Sequence, residues 1–256
     1  MRRIAQRLRE HDWFAAGIEL LIVVVGILIA LQVSNWNQER IDAKHGHAYL
    51  ERIVADIDAD LASNAHHAQV MAQVRHYGEQ AMAHADTGAL AEGLAWKTVL
   101  AYFQGGQFNA YSRESTAFEE MRDAGDLGLI EDPKLRSGLA FYYASNSKRI
   151  GDVMVMNLIP QYRQDIRSVT PTAVQDYIWL HCYRTEGYSD DQMIDCPSPI
   201  DDAEARTILA NYARHPELAD DLRFWLSTQR IAALAFPTDR RELLNLKALA
   251  ERELRR

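Results

Sequence analysis

Cysteine, proline and glycine are all scarce: the 256 residues contain 2, 7 and 13 of them. No collagen-like, proline-rich or Gln/Asn-rich tract is present, so fibrous and low-complexity architectures are excluded. Excess positive charge is missing too. From Ser34 onward the chain keeps 24 of its 28 basic and 33 of its 36 acidic residues, a formal charge of −9. Nucleic-acid binding therefore loses its electrostatic basis. The catalytic signatures GxSxG, GxxxxGK[ST], strand-borne GxGxxG and HExxH do not occur, and no cofactor-binding pattern is readable. Alternating strand patterns and fixed-period repeats are also lacking.

What the chain does have is one long apolar run, Phe14 to Val33, FAAGIELLIVVVGILIALQV. A helix needs roughly 20 apolar residues to cross a ~30 Å hydrocarbon core. Thirteen of these residues are Leu, Ile, Val or Phe. At about −0.3 to −0.6 kcal/mol each they favour insertion by roughly 4 to 8 kcal/mol. A charged Glu19 opposes this by about 3 kcal/mol, so the apolar side wins. Trp13 and Trp36 bracket the run about 34 Å apart, as interfacial aromatics do. Arg2, Arg3, Arg7 and Arg9 precede it, while Arg40 and Lys44 follow at similar distance. The positive-inside rule then puts residues 1–12 in the cytoplasm as a basic tail touching anionic lipid, 13–36 in the bilayer, and 37–256 outside. A cleaved signal peptide fits less well, because the run is long and ALQVSNW has no small-x-small site. The expected location is the bacterial inner membrane.

Within the run, Ala15, Glu19, Gly26 and Ala30 share one helical stripe with Val33. Gly26 and Ala30 form a small-xxx-small pair that lets two backbones approach closely. Small residues beside one polar group suit a helix-pairing face, so self-association or docking to another membrane helix is expected there. A proton- or ion-relay role for Glu19 is the alternative.

Some 220 residues outside the lipid can bury a full core, as one domain or two. Cys182 and Cys196 lie outside the membrane on this topology. In an oxidising periplasm they would close one polar surface loop with a disulfide. Two free thiols, or a metal site with His181, are the alternatives, and the latter lacks any standard zinc spacing. His45, His47, His66, His67, His76 and His84 form no i, i+4 pair and read as surface residues. The run Asp56-Ile57-Asp58-Ala59-Asp60 begins like a calcium loop, but Leu61 and His67 replace the required Gly and Glu. It reads as a solvated helix face.

The pattern elsewhere is helical. Leu50, Val54, Ile57, Leu61, Ala68 and Met71 recur at helical spacing, which predicts a helix from about Gln38 to Ala85. It would continue from the membrane span, kink at Gly46 and end at Asp86-Thr87-Gly88. A second helix is expected over Leu90 to Phe103. Thr116 with Glu119 has capping-box spacing, Gly125 suits a C′ position, and Asp132-Pro133 supplies an N-cap and N1. Leu135, Leu139, Tyr142 and Tyr143 carry the apolar face of the helix that follows, with a kink expected at Pro160. Further helices are expected from Pro171-Thr172 to Leu180, Asp202 to Arg214, Pro216 to Ala235 and Thr238 to Leu254. The fold class is all-α: a transmembrane helix running into a long helix, then a multi-helix soluble domain.

Two segments resemble a family of bacterial single-pass membrane proteins of unknown function. GILIALQVSNWNQER is similar to its GEIxLVxxGILIALQxNNWNExR signature, and TAFEEMRDAGDLGLIEDPKLRSGLAFYY is similar to its YxxLxxSGxLxLIxDxxLxxxLxxYY segment. Ser34 and Ala124 depart from the Asn and Ser common there. The resemblance implies topology and a helical fold, and no activity. The expectation is a non-enzymatic envelope module whose partners are the bilayer and either a second copy or another envelope membrane protein. The alternative is an accessory subunit of an ion-coupled complex using Glu19.

Overall fold

In the computed structural model of the chain, residues 2–108, 113–144, 160–185 and 191–256 are described, without the side chains of residues 2–16 and 144. Eight α-helices appear among them: α1 Arg2–Thr87, α2 Ala95–Gly105, α3 Thr116–Ala124, α4 Pro133–Ala144, α5 Gln161–Val169, α6 Thr172–His181, α7 Asp202–Tyr212 and α8 Pro216–Leu254. One antiparallel hairpin, β1 Tyr183–Thr185 with β2 Asp191–Met193, is the exception to an all-α fold. It is too short to show an alternating pattern in the sequence.

The frame is α1 packed antiparallel on α8. Their seam positions, all buried, repeat at alternating steps of three and four. On α1 they are Gly46, Leu50, Ile53, Ile57, Asp60, Asn64, His67, Met71, Val74, Gly78 and Ala81. On α8 they are Leu218, Leu222, Trp225, Gln229, Ala232, Phe236, Asp239, Leu243, Leu246 and Ala250. A 3.5-residue repeat keeps one face turned to its partner, which is the geometry of a coiled coil. Contacts at both ends set the direction. Asp58 accepts from Lys247 Nζ at 2.5 Å, and Asp86 accepts from Arg223 at 3.1 Å. The seam also corrects the phase read from the sequence. Val54, Leu61 and Ala68 flank it half-buried, and three polar residues sit in it instead.

Two apolar cores lie along this pair. The proximal one, nearer the apolar run, joins Leu50, Ile53 and Ile57 to Phe118 and Met121 of α3, Leu135, Leu139, Tyr142 and Tyr143 of α4, and Leu243 and Leu246 of α8. The distal one gathers α2, α5, α6 and α7 around Met71, Ala81 and the first half of α8. At the distal crossing, a Cβ on Gly105 would lie 2.7 Å from the Gly78 Cα, so α2 meets α1 backbone to backbone. Glycine at 105 permits this, while a Cβ on Gly78 would press instead on the Leu226 side chain of α8 at 2.9 Å.

Several helix ends differ from expectation. Gly46 produces no break; it is buried where a Cβ would come within 3.1 Å of the Leu129 carbonyl oxygen. Pro160 caps the start of α5 rather than kinking a helix, and residues 145–159 before it lie outside the described residues. Pro237 interrupts nothing: α8 runs through it because Phe236 and Asp239 hold the seam on either side while Pro237 faces outward. Gly125 does take the left-handed C-cap, at φ 82°, and Asp132 Oδ1 does accept from the Lys134 N–H at 2.8 Å.

Candidate functional site

The seam changes character at mid-length. Asp60, Asn64 and His67 of α1 and Asp239 of α8 occupy positions that elsewhere hold Leu, Ile or Phe, and each is under 4 % exposed. Arg113, on the chain leading into α3, enters beside them. Its Nη2 donates to Asp239 Oδ2 at 3.3 Å and its Nη1 to the Tyr142 carbonyl at 2.8 Å. The guanidinium also stacks 4.1 Å over the Tyr142 ring. On the other side, His67 meets the Phe236 ring edge-on at 5.1 Å. The layer thus ties α1, the approach to α3, α4 and α8 together between the two cores.

Asp56 and Asp60 lie one turn apart on α1 and act on the same segment. Asp60 Oδ1 accepts from the Glu114 N–H at 2.6 Å, and Asp56 Oδ2 from the Ala117 N–H at 2.9 Å. The N-terminus of α3 is therefore capped from α1. The expected Thr116–Glu119 box is not formed; Ser115 is the N-cap residue and its hydroxyl donates to Glu119 instead. The Asp56–Asp60 run is a solvated face only at Asp58 and Ala59; Asp56 is half-buried and Asp60 buried. Burial pushes the Asp60 carboxyl up to about 7, against the pull of the Glu114 N–H and of Arg113. Its Oδ2 and Asn64 Nδ2 have no hydrogen-bond partner among the described residues. The arrangement can take up a proton near neutral pH inside a packed helix seam.

Two clefts open on the distal half. One, about 370 Å³, is lined by His84, Asp86, Tyr102, Tyr212, His215 and Arg223 among others. His84 Nδ1 lies 3.1 Å from the Tyr102 hydroxyl, and burial lowers the imidazole below its usual range. Burial, reinforced by Asp86, raises Tyr102 to about 12, so the phenol stays protonated. Arg223 is held by Asp86 at 3.1 Å and Asp220 at 2.9 Å. No serine, threonine or cysteine is among the residues lining this cleft. The second, about 570 Å³, is a shallow groove along α7 beside Val169 and Pro171. Among the described residues no three His, Cys, Asp or Glu side chains converge as metal ligands.

The residues expected to matter fall in three places. Glu19, Gly26, Ala30 and Trp36 lie on a stretch of α1 whose side chains are exposed from Gly17 to Ile41. That stretch belongs to the single helix, among the described residues, long and apolar enough to cross a membrane, and none of its apolar window is buried. Ala15, Trp13, Arg2, Arg3, Arg7 and Arg9 are in the same helix, but their side chains lie outside the described residues. Cys182 and Cys196 are joined, with their Cα atoms 5.1 Å apart. They sit in the distal core rather than on a surface loop. The Cys182 carbonyl accepts from Gln104 Nε2 at 3.0 Å and the Cys196 carbonyl from Trp96 Nε1 at 3.3 Å. Of the histidines read as surface residues, His67 is buried and His66 and His84 are half-buried, while His45, His47 and His76 are exposed. The polar layer itself was missed. Its one signal was a polar residue at every three- or four-residue step from Asp60 to His67, in phase with Ile53 and Ile57. No family model, curated protein or solved structure matches this chain.

Proposed function

We propose that this protein is a non-enzymatic helical interaction module of a bacterial envelope, tethered by one transmembrane helix with its N-terminus in the cytoplasm. One observation carries the reading. The apolar run and the seam of the folded domain are parts of the same unbroken 86-residue helix, about 130 Å long. From Val33 to Gly46, the first buried residue of α1 beyond the run, is about 20 Å. No linker intervenes, so the domain stands off the bilayer on a stiff stalk. Such a stalk serves presentation and assembly: any rotation or tilt of the membrane helix is passed to the domain.

Glu19 and the Gly26–Ala30 pair supply the contact face in the bilayer. Nothing in the described chain covers Glu19, and a carboxyl at that depth favours a partner helix. In native membranes, photo-crosslinkers at positions 26 and 30 should give a specific adduct, with a second copy or with another envelope protein. Gly26→Leu and Glu19→Leu should remove it. A chain that stays monomeric and uncrosslinked at both positions contradicts the reading. The lone ionisable group in the run also supports a second reading, an accessory subunit of an ion-coupled complex. Loss of function in Glu19→Gln with the adduct retained would favour it.

A further inference from the structure

Beyond its scaffold role, we propose that the distal half binds a small organic anion, a carboxylate or phosphate carrying an apolar or aromatic group, between Arg163 and Arg167 of α5 and the Trp179 ring.

The two arginines are one helical turn apart and converge on one acceptor. Arg163 Nη1 donates to Gln107 Oε1 at 2.7 Å, and Arg167 Nη2 donates to the same oxygen at 3.3 Å. Gln107 is almost wholly buried, and its Nε2 has no partner among the described residues. Two cationic donors demand oxygen on their side, so the amide is fixed with its nitrogen facing away. Gly106 makes the approach possible: a Cβ there would press on the Arg163 Cα at 3.4 Å and the Ile166 side chain at 3.3 Å. Its carbonyl also accepts from Arg163 Nη1 at 3.3 Å.

In a chain of strong acidic excess, no carboxylate of a described residue pairs directly, within 4 Å, with either guanidinium. Asp191 acts on Arg163 from further off while accepting from the Tyr183 hydroxyl. Burial and then the neighbouring Arg167 bring Arg163 down to about 10, against the pull of Tyr183 and Asp191. Both side chains remain half-exposed, and most of their N–H donors are uncommitted. A planar fork of this kind suits bidentate oxyanions. Arg167 stacks 4.8 Å from the Trp179 ring, itself half-exposed and edge-on to Tyr183 at 5.0 Å. An apolar group beside the oxyanion would pack on that ring.

The test is calorimetric titration of the full chain in detergent with benzoate, phenyl phosphate, acetate and inorganic phosphate. Saturable binding of benzoate or phenyl phosphate is expected, at least tenfold tighter than that of the matching non-aromatic anion. Arg163→Gln and Arg167→Gln should each weaken it tenfold or more, and Trp179→Leu should abolish the aromatic preference. Arg163→Lys and Arg167→Lys, which keep the charge for folding, should also weaken it by losing the fork. No saturable binding, or binding unchanged in the Lys variants, would overturn the proposal, as would equal affinity for phosphate and phenyl phosphate.

Discussion

The proximal and distal cores share two helices yet are held by different chemistry. The distal core is stapled covalently at Cys182–Cys196, and its buried donors reach backbone carbonyls: Trp225 Nε1 to Gly105 at 3.1 Å, Tyr162 to Tyr102 at 2.8 Å. The proximal core has no disulfide and relies on carboxylates from α1 and α8. Asp56 and Asp60 hold the N-terminus of α3, while Glu253 accepts from the Glu131 and Asp132 N–H groups at 2.6 and 3.1 Å. One half therefore answers to redox conditions and the other to pH, with the Arg113 layer between them. The half nearer the apolar run is the one tuned by protons.

The largest effect should come from the junction. Arg113→Met leaves Asp239 without this cation in a seam position and should cost about 3–5 kcal/mol in urea unfolding. A cost below about 1 kcal/mol would mean the two cores are joined by apolar packing alone. Next is the staple. Replacing both Cys182 and Cys196 with Ala should cost about 3 kcal/mol. Hydrogen exchange should localise the loss to α2, α6 and α7, with α3 and α4 unchanged; loss spread evenly would erase the distinction between the halves.

Asp60 sharpens the pH side. Its folded pKa, about 7, stands above the 3.8 of an ordinary aspartate, so the folded state holds the proton more tightly. Stability from this group is full below about pH 4 and falls as pH rises through 7. Asp60→Asn should flatten that decline and, at pH 8, exceed the wild type by about 2 kcal/mol. Wild-type and variant curves of equal slope from pH 5 to 8 would remove the proximal half's proton sensitivity. The smallest effect is at Glu253, where Ala should cost about 1 kcal/mol and raise exchange only at residues 130–135.

Much of this architecture was legible in the sequence where local chemistry decides it. Asp132-Pro133 and Gly125 mark their helix ends because N-caps and left-handed residues have few solutions. The apolar run and its continuation into a long helix were equally plain. What escaped was settled by distant partners. Thr116–Glu119 had the right spacing, but Asp56, some 60 residues earlier, had already claimed the helix terminus. The helices expected over Pro216 to Ala235 and Thr238 to Leu254 are one, because the heptad seam that carries α8 past Pro237 is visible only against α1. Asp60 and His67 read as surface for the same reason: a polar seam position is recognisable only once distant segments supply the Arg113–Asp239 pair beside it. The Arg163–Arg167 pair was silent, since Gln107 and Trp179 reach it from other elements.

The proposed tether requires α1 to be one rigid rod from the apolar run into the folded domain, and a spin–spin distance across the stalk tests this most directly. Labels at Asn37→Cys and Ala72→Cys, both exposed sites, flank Gly46 and leave the native disulfide unreactive. An unbroken helix predicts one narrow distribution centred near 52 Å between the Cα atoms, in nanodiscs. A broad distribution, or a centre shorter by about 10 Å or more, would show a hinge between anchor and domain and contradict the account.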